Sequence, residues 1–343
     1  MNSTRVIQFG CGPIGLASTR YLIERDGVEL VAGIDTDPGL AGRDMGTLAG
    51  LAQPLGVSVS SDAERILRNT TADVVLLTTC SELQRVEPQI LRLVEAGLHV
   101  ISTCEELAYP WFTHPEIARR IDAAARGRHV AVLGTGVNPG FLMDFLPIVT
   151  TGICRRVDTI TAERIQDASS RREPFQRKIG AGLSPEVFDA KRKSGEIRHV
   201  GLTESMHMIA ATLGLAVEQT EETIQPIIAK QPCSTEYLEI PAGHARGLCQ
   251  VACAYREHDA VISLIFRAAV GEPEPRDRVI VSGCPNLQVE IPGGAHGDIA
   301  TCTILVNAIS TVLGSPPGLR TMADVGLVRW TPGVRPLQGV SHS

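Results

Sequence analysis

The most constraining stretch of this chain covers residues 5–37. An apolar run, Val6-Ile7-Gln8-Phe9, leads to Gly10, Gly12 and Gly15, and a second apolar run ends at Asp35. Strand, glycine turn, helix and strand in this order make the unit that cradles a dinucleotide pyrophosphate. The three glycines do different things. Gly10 allows the turn out of the strand, Gly12 lets backbone approach the pyrophosphate, and Gly15 lets the helix pack on the sheet. The anion then rests on a helix N-terminus, where N–H groups and the dipole favour it. A GxGxxG alone is a weak sign, because any glycine turn after a strand imitates it. Here residues 14–23 carry apolar side chains at helical spacing and 28–34 read as a strand, so the context supports the motif. Asp35 stands 20 residues after Gly15, where a carboxylate receives ribose hydroxyls. The cofactor expected from this unit is NAD or NADP.

Length sets the domain count. A chain of 343 residues exceeds what one hydrophobic core usually serves, so two domains are expected. The formal charge of −6 and the lack of a basic stripe interleaved with aromatics argue against a nucleic-acid partner. The one basic cluster, Arg171-Arg172 through Arg177-Lys178, reads as a solvated loop. No stretch reaches the roughly 20 apolar residues of a membrane helix, and the N-terminus enters a strand with no room for a signal peptide. The nine cysteines are scattered, with no CxxC pair and no histidine at zinc-finger spacing, so no metal site is expected. An odd number of thiols fits a reducing cytoplasm.

Further along, strands are expected over 73–79, 99–103 and 129–133, and helices over 87–96 and 114–126. Strand and helix thus alternate through the first 135 residues, the pattern of a doubly wound parallel sheet of Rossmann type whose ligand lies at the carboxyl ends of its strands. After a helix over 141–150 the pattern changes. Strands over 159–164, 224–228, 236–240, 248–255, 260–268 and 277–281, with helices over 185–193 and 204–213, suggest an α+β domain built on a mixed or antiparallel sheet. The expected division is a dinucleotide-binding domain over 1–140, a substrate and dimerisation domain over 141–298, and a helix and tail over 299–343 that pack back on the first domain.

Several loops at strand ends could carry chemistry. Glu105-Glu106 follows a buried strand and precedes Tyr109-Pro110-Trp111, and burial of a carboxyl group raises its pKa toward the range useful for acid–base work. Ser102, Thr103 and the two glutamates also resemble a helix cap, so that reading stands beside the first. Residues 134–140 hold three glycines, Asn138 and Pro139 at another strand end; Asn138 would bond the nicotinamide carboxamide or substrate, or serve a turn at the domain junction. The cofactor-binding set is Gly10, Gly12, Pro13, Ile14, Gly15, Asp35, Thr36, Arg43, Thr79, Cys80, Thr103 and Asn138. Asp35 would repel a 2′-phosphate and Arg43 would compensate, so either cofactor is compatible. Arg164, His199, His296 and Thr301 are the candidates for contact with substrate.

The motifs CGPIG, GIDTDP, ISTCEELAYPW, GTGVNPGF, GAGLSPEVF, HVGLTES, HGDIAT and PGLRTMAD follow one another along essentially the whole chain. In this combination the sequence resembles the 2,4-diaminopentanoate dehydrogenases and the native amine dehydrogenases related to them. The resemblance implies NAD(P)-dependent oxidative deamination of a primary amine, reversible as reductive amination of a ketone or aldehyde with ammonia. It implies a homodimer formed through the second domain's sheet. It also implies that a glutamate of the EE pair is the acid–base residue, which on this chain means Glu106 ahead of Glu105. The first domain resembles dihydrodipicolinate reductases too, but their histidine-rich catalytic segment, its lysine and the PSGT stretch are missing here. Cys11-Gly12-Pro13 and the basic segment 168–178 depart from the diaminopentanoate pattern, which leaves the amine open. The competing readings are an imine or dihydrodipicolinate-type reductase and a non-catalytic NAD(P)-binding sensor.

Overall fold

The computed structural model describes residues 3–334, and the chain divides into a unit of Met1–Phe141 with His296–Ser343 and a unit of Leu142–Ala295. The end of the expected C-terminal tail, 335–343, lies outside the described residues. In chain order the first unit holds β1 (Thr4–Phe9), α1 (Pro13–Ile23), β2 (Val28–Ile34), α2 (Met45–Leu48), β3 (Val59–Ser60), α3 (Ala63–Asn69), β4 (Val74–Leu77), α4 (Leu83–Glu95), β5 (His99–Ser102), α5 (Pro110–Thr113), α6 (Pro115–Gly127) and β6 (Ala131–Gly134). The second holds α7 (Phe145–Thr150), β7 (Arg156–Asp167), α8 (Glu173–Lys178), α9 (Pro185–Lys193), α10 (Leu202–Leu213), β8 (Gln219–Ile228), β9 (Cys233–Ser234), β10 (Glu239–Ile240), β11 (Ala245–Arg256), β12 (Asp259–Ala269), β13 (Arg276–Cys284) and β14 (Leu287–Pro292). The chain then returns to the first unit with α11 (Gly297–Leu313) and β15 (Gly318–Arg320).

In the first unit the sheet runs β15-β6-β5-β4-β1-β2-β3, and its neighbouring strands are parallel. Strands β4 and β6 are buried at every position, as expected of a sheet covered on both faces. The strand order reverses beside β1, which creates the crevice where open α/β sheets bind ligands. Register aligns the carboxyl ends: Phe9 pairs with Leu77, Leu77 with Ser102, and Ser102 with Gly134. The loops after β1, β4, β5 and β6 therefore leave the sheet at one level. Helix α11 lies against α1, with the Cys302 thiol donating to the Ile14 carbonyl at 3.4 Å.

Helix α4 begins at Leu83, earlier than the sequence pattern places it, and runs through Pro88. Its buried stripe of Leu83, Val86, Ile90, Leu93 and Val94 holds the helix together despite the donor that proline lacks. The short strands β3 and β15 and the helix α3 have no counterpart among the expected elements; two or three residues carry no readable period, and α3 has no fully buried residue.

The second sheet runs β14-β13-β7-β12-β11-β8. Strands β7 and β12 are parallel and the other neighbouring pairs antiparallel, so the sheet is mixed. On one face Ile160, Ala162, Leu264, Ala252 and Val279 pack with Phe188, Met206 and Ile209 from the helices. The basic cluster is not a loop, which corrects the expectation from sequence: it forms α8. Pro174 stands in the first turn, Glu173 pairs with Arg177 one turn on at 2.6 Å, and the basic residues lie in the last turn, where the dipole favours them. The helix escapes a periodicity argument because its fully buried residue is polar. Gln176 donates to the carbonyls of Ala168 at 3.1 Å and Arg171 at 2.9 Å and ties down the preceding turn. Among the described residues no helix is long and apolar enough to cross a membrane.

Candidate active site

The turn after β1 tolerates only glycine at two points. Gly10 has φ +93°, and a Cβ there would lie 2.7 Å from the Thr78 carbonyl oxygen. A Cβ on Gly15 would fall 1.9 Å from the Gly10 carbonyl oxygen. Gly12 is different, because nothing stands within 4 Å of the Cβ it lacks. Open space over Gly12, the N-cap of α1, together with a first turn that no side chain caps, fits a pyrophosphate laid on the helix N-terminus. Pro13 occupies that first turn at no cost in hydrogen bonds. Two residues that fix the loop are absent from the set expected from sequence. Gln8, buried inside β1, donates to the Gly10 carbonyl at 2.9 Å and to Thr78 Oγ1 at 2.9 Å, and Thr78 Oγ1 donates to the same carbonyl at 2.8 Å. A lone amide in an otherwise apolar strand is the signal that could have found them.

Asp35 sits at the end of β2 with both oxygens engaged. Oδ2 accepts from the Cys11 N–H at 2.6 Å and Oδ1 from the Asp37 N–H at 2.9 Å, which fixes the carboxylate at the loop's mouth. Thr36 is exposed beside it. Arg43 is exposed too, its backbone pinned by bonds to Leu40 and Val59 while its guanidinium makes no bond among the described residues. These groups can hold the adenosine end of either nicotinamide cofactor. The Cys11 thiol is buried, 3.6 Å from Met45 Sδ, and burial followed by the charge of Asp35 pushes its pKa up to about 12. It is packing, not a nucleophile.

The next two strand ends carry the acidic group. Thr79 Oγ1 turns aside to Gln89 at 2.7 Å, and Cys80 Sγ accepts from the Glu82 N–H at 3.3 Å. The Thr103 N–H bonds the Leu77 carbonyl at 3.1 Å and continues the β4–β5 ladder into the loop. Glu105 and Glu106 then open a single 3₁₀ turn whose N-cap, Cys104, supplies no side-chain cap. The capping role is real but belongs to a different helix: Glu106 Oε2 accepts from the Leu83 N–H, at the start of α4, at 2.7 Å. The same oxygen is 3.8 Å from His114 Nε2, and the Glu106 side chain is 13% exposed. Glu105 is half-buried, and its carboxylate makes no hydrogen bond or ion pair among the described residues. The two carboxylates therefore differ in restraint.

Asn138 is buried in the loop after β6 and precedes a cis peptide bond to Pro139. Thr301, on α11, accepts from the Val137 N–H at 3.2 Å and so braces that loop. His296 caps α11, its Nδ1 facing the Ile299 N–H at 3.5 Å.

In the second unit, Arg164 is buried in β7. Its guanidinium donates to Asp277 at 2.7 Å and to the Ala295 carbonyl at 3.0 Å, while Asp277 accepts from the Ala295 N–H at 2.7 Å. Burial lowers the Arg164 pKa, and Asp277 works against that shift. The expected substrate contact is thus a clamp on the turn that follows β14. His199 stacks on Phe266, with ring centroids 4.2 Å apart and planes 17° from parallel. Its backbone is gripped at both polar atoms by Gln250, whose Oε1 accepts from the His199 N–H at 2.7 Å and whose Nε2 donates to the His199 carbonyl at 2.9 Å. Burial, then the charges of Lys178 and Arg164, push the imidazole pKa down to about 3, so the ring is neutral.

Comparison with known proteins agrees with this geometry. The model of the 2,4-diaminopentanoate dehydrogenase C-terminal domain matches residues 141–334. The chain is 32% identical to the 2,4-diaminopentanoate dehydrogenase of Acetoanaerobium sticklandii, over 96% of this chain and 95% of that one. It is 25% identical to an amine dehydrogenase of Streptomyces virginiae, over 94% of this chain and 96% of the relative. The solved amine dehydrogenase of Mycobacterium smegmatis superposes with a TM-score of 0.85 at 25% identity, over 96% of this chain and 98% of that one. The glycine loop, the strand-end glutamates and these matches together place the chain in the 2,4-diaminopentanoate dehydrogenase family.

Proposed function

We propose that this protein catalyses the NAD(P)-dependent oxidative deamination of a primary amine, with 2,4-diaminopentanoate or a close relative as substrate, and the reverse reductive amination of a ketone or aldehyde with ammonia. The observation that carries the reading is a restrained glutamate, Glu106, at the end of β5 in the same sheet whose β1 end bears the glycine cradle. The relatives' names support the reaction class. Homodimerisation through the second unit's sheet belongs to the same proposal.

Bound nicotinamide supplies the two-electron acceptor. Glycines 10, 12 and 15 with the N-terminus of α1 would hold its pyrophosphate, and Asp35 its ribose. What the protein itself contributes is proton traffic. Glu106 takes a proton from the substrate ammonium so that the nitrogen lone pair can drive electrons out of the C–H bond. Its negative charge then stabilises the substrate iminium. In the final stage it takes a proton from water as the oxygen adds to that carbon, and returns it to nitrogen as ammonia leaves. Leu83 and His114 fix the carboxylate by Oε2, and Oε1 is the exchanging atom in this reading. The test is turnover of 2,4-diaminopentanoate and simple primary amines with each cofactor, followed by the rise in reduced-nicotinamide absorbance. The reading expects amine-dependent reduction; cofactor binding with no turnover on any amine overturns it.

A further inference from the structure

The helix-covered face of the second sheet changes character along its strands. Toward one end it is apolar, with Ala162, Leu264, Ala252 and Val279 in register across four strands. The next row is polar: Asp277, Arg164, Phe266 and Gln250 stand side by side. His199 is stacked over that row and held rigid by Gln250, which also donates to Glu222 at 2.8 Å. A row of buried polar side chains under a clamped aromatic ring is a costly arrangement for a core, and such features mark sites of recognition.

The charges of this region do not cancel. Arg164 is matched by Asp277 at 2.7 Å. His199 is neutral, and on α8 Arg177 is matched by Glu173 at 2.6 Å. Lys178, at the end of α8, is exposed, makes no ion pair or hydrogen bond among the described residues, and its charge acts on the His199 ring. One positive charge is therefore left over beside a preorganised neutral ring. A Lys ammonium in that position suits a carboxylate, which it meets as a point charge with three donors.

We propose that Lys178 is the anchor for a carboxylate on the substrate, so that this protein selects amino acids over amines without an acid group. The inference rests on the amine-dehydrogenase reading for the identity of the ligand, and it deepens that reading by naming the substrate class and a specificity-determining residue. It also gives the basic segment that departs from the family pattern a use.

A matched pair of probes tests it. 4-Aminopentanoate and pentan-2-amine share carbon skeleton and amine position and differ in a carboxylate where the other has a methyl group. Binding of each to the NADH-loaded protein, measured by calorimetry, separates recognition from turnover. The wild type is expected to bind 4-aminopentanoate more tightly than pentan-2-amine. Lys178→Met should weaken the acid by about 10- to 100-fold, the worth of a charge-assisted hydrogen bond. It should change the amine by less than about threefold, as an ordinary surface substitution does. Lys178→Arg should keep most of the preference. Equal binding of both probes by the wild type, no loss of acid binding in Lys178→Met, or equal loss of both probes overturns the proposal. Acid binding that depends on Lys178 without any oxidation of bound amine would instead sink the dehydrogenase reading and leave this one standing.

Discussion

Two carboxylates stand side by side after β5 and are held differently. Glu106 is anchored through Oε2 by the first N–H of α4 and is mostly shielded from water, whereas Glu105 carries no bond among the described residues. A proton-transfer group must meet its substrate in one geometry on every turnover, and the anchored residue meets that demand. Glu106→Gln keeps an oxygen to accept from Leu83 but cannot exchange a proton, so kcat should fall by about 10²- to 10⁴-fold with the fold intact. Glu105→Gln should stay within roughly tenfold of the wild type. Steady-state kinetics of both variants, with circular dichroism as a control for folding, decide between them; a dead Glu105 variant beside an active Glu106 variant reverses the assignment. The EE pair can be found in the sequence because adjacent acids after a buried strand are unusual. Which acid is held is not readable there, since the donor, Leu83, lies more than twenty residues away on another helix.

At the level of the element, the polar row across β13, β7, β12 and β11 shows why Arg164 reads ambiguously. A buried arginine near a strand end looks like a ligand contact in sequence. In the structure it is matched by Asp277, and the pair grips both backbone atoms of Ala295. Arg164→Met leaves a buried carboxylate without its partner and should destabilise the protein by about 3–5 kcal/mol, whereas Arg164→Met combined with Asp277→Leu should recover much of that loss. Denaturant titration of the two variants checks this; a single variant as stable as the wild type would rule out the clamp. Regular elements with an apolar stripe, such as α9 and β2, are legible to the residue. Helix α8 is not, because its buried position is the amide of Gln176, and neither are strands as short as β3.

The whole molecule combines a parallel sheet that presents a cofactor cradle with a mixed sheet that carries a clamped, charge-biased face. The alternation of strand and helix in the first part of the sequence, and its loss after 141, make this division legible. The return of the chain to the first unit in α11 and β15 depends on contacts far apart in sequence, such as Cys302 with Ile14 and Gly318 with Val130, which no local pattern encodes. The central chemical claim belongs to this scale: nitrogen enters and leaves the substrate at the carbon that is oxidised. The most direct test is the reductive direction, in which consumption of reduced nicotinamide is followed with 2-amino-4-oxopentanoate or a simple ketone, with and without ammonium. Consumption is predicted only when ammonium is present, with the amine as product, and consumption of equal rate without ammonium would contradict the claim.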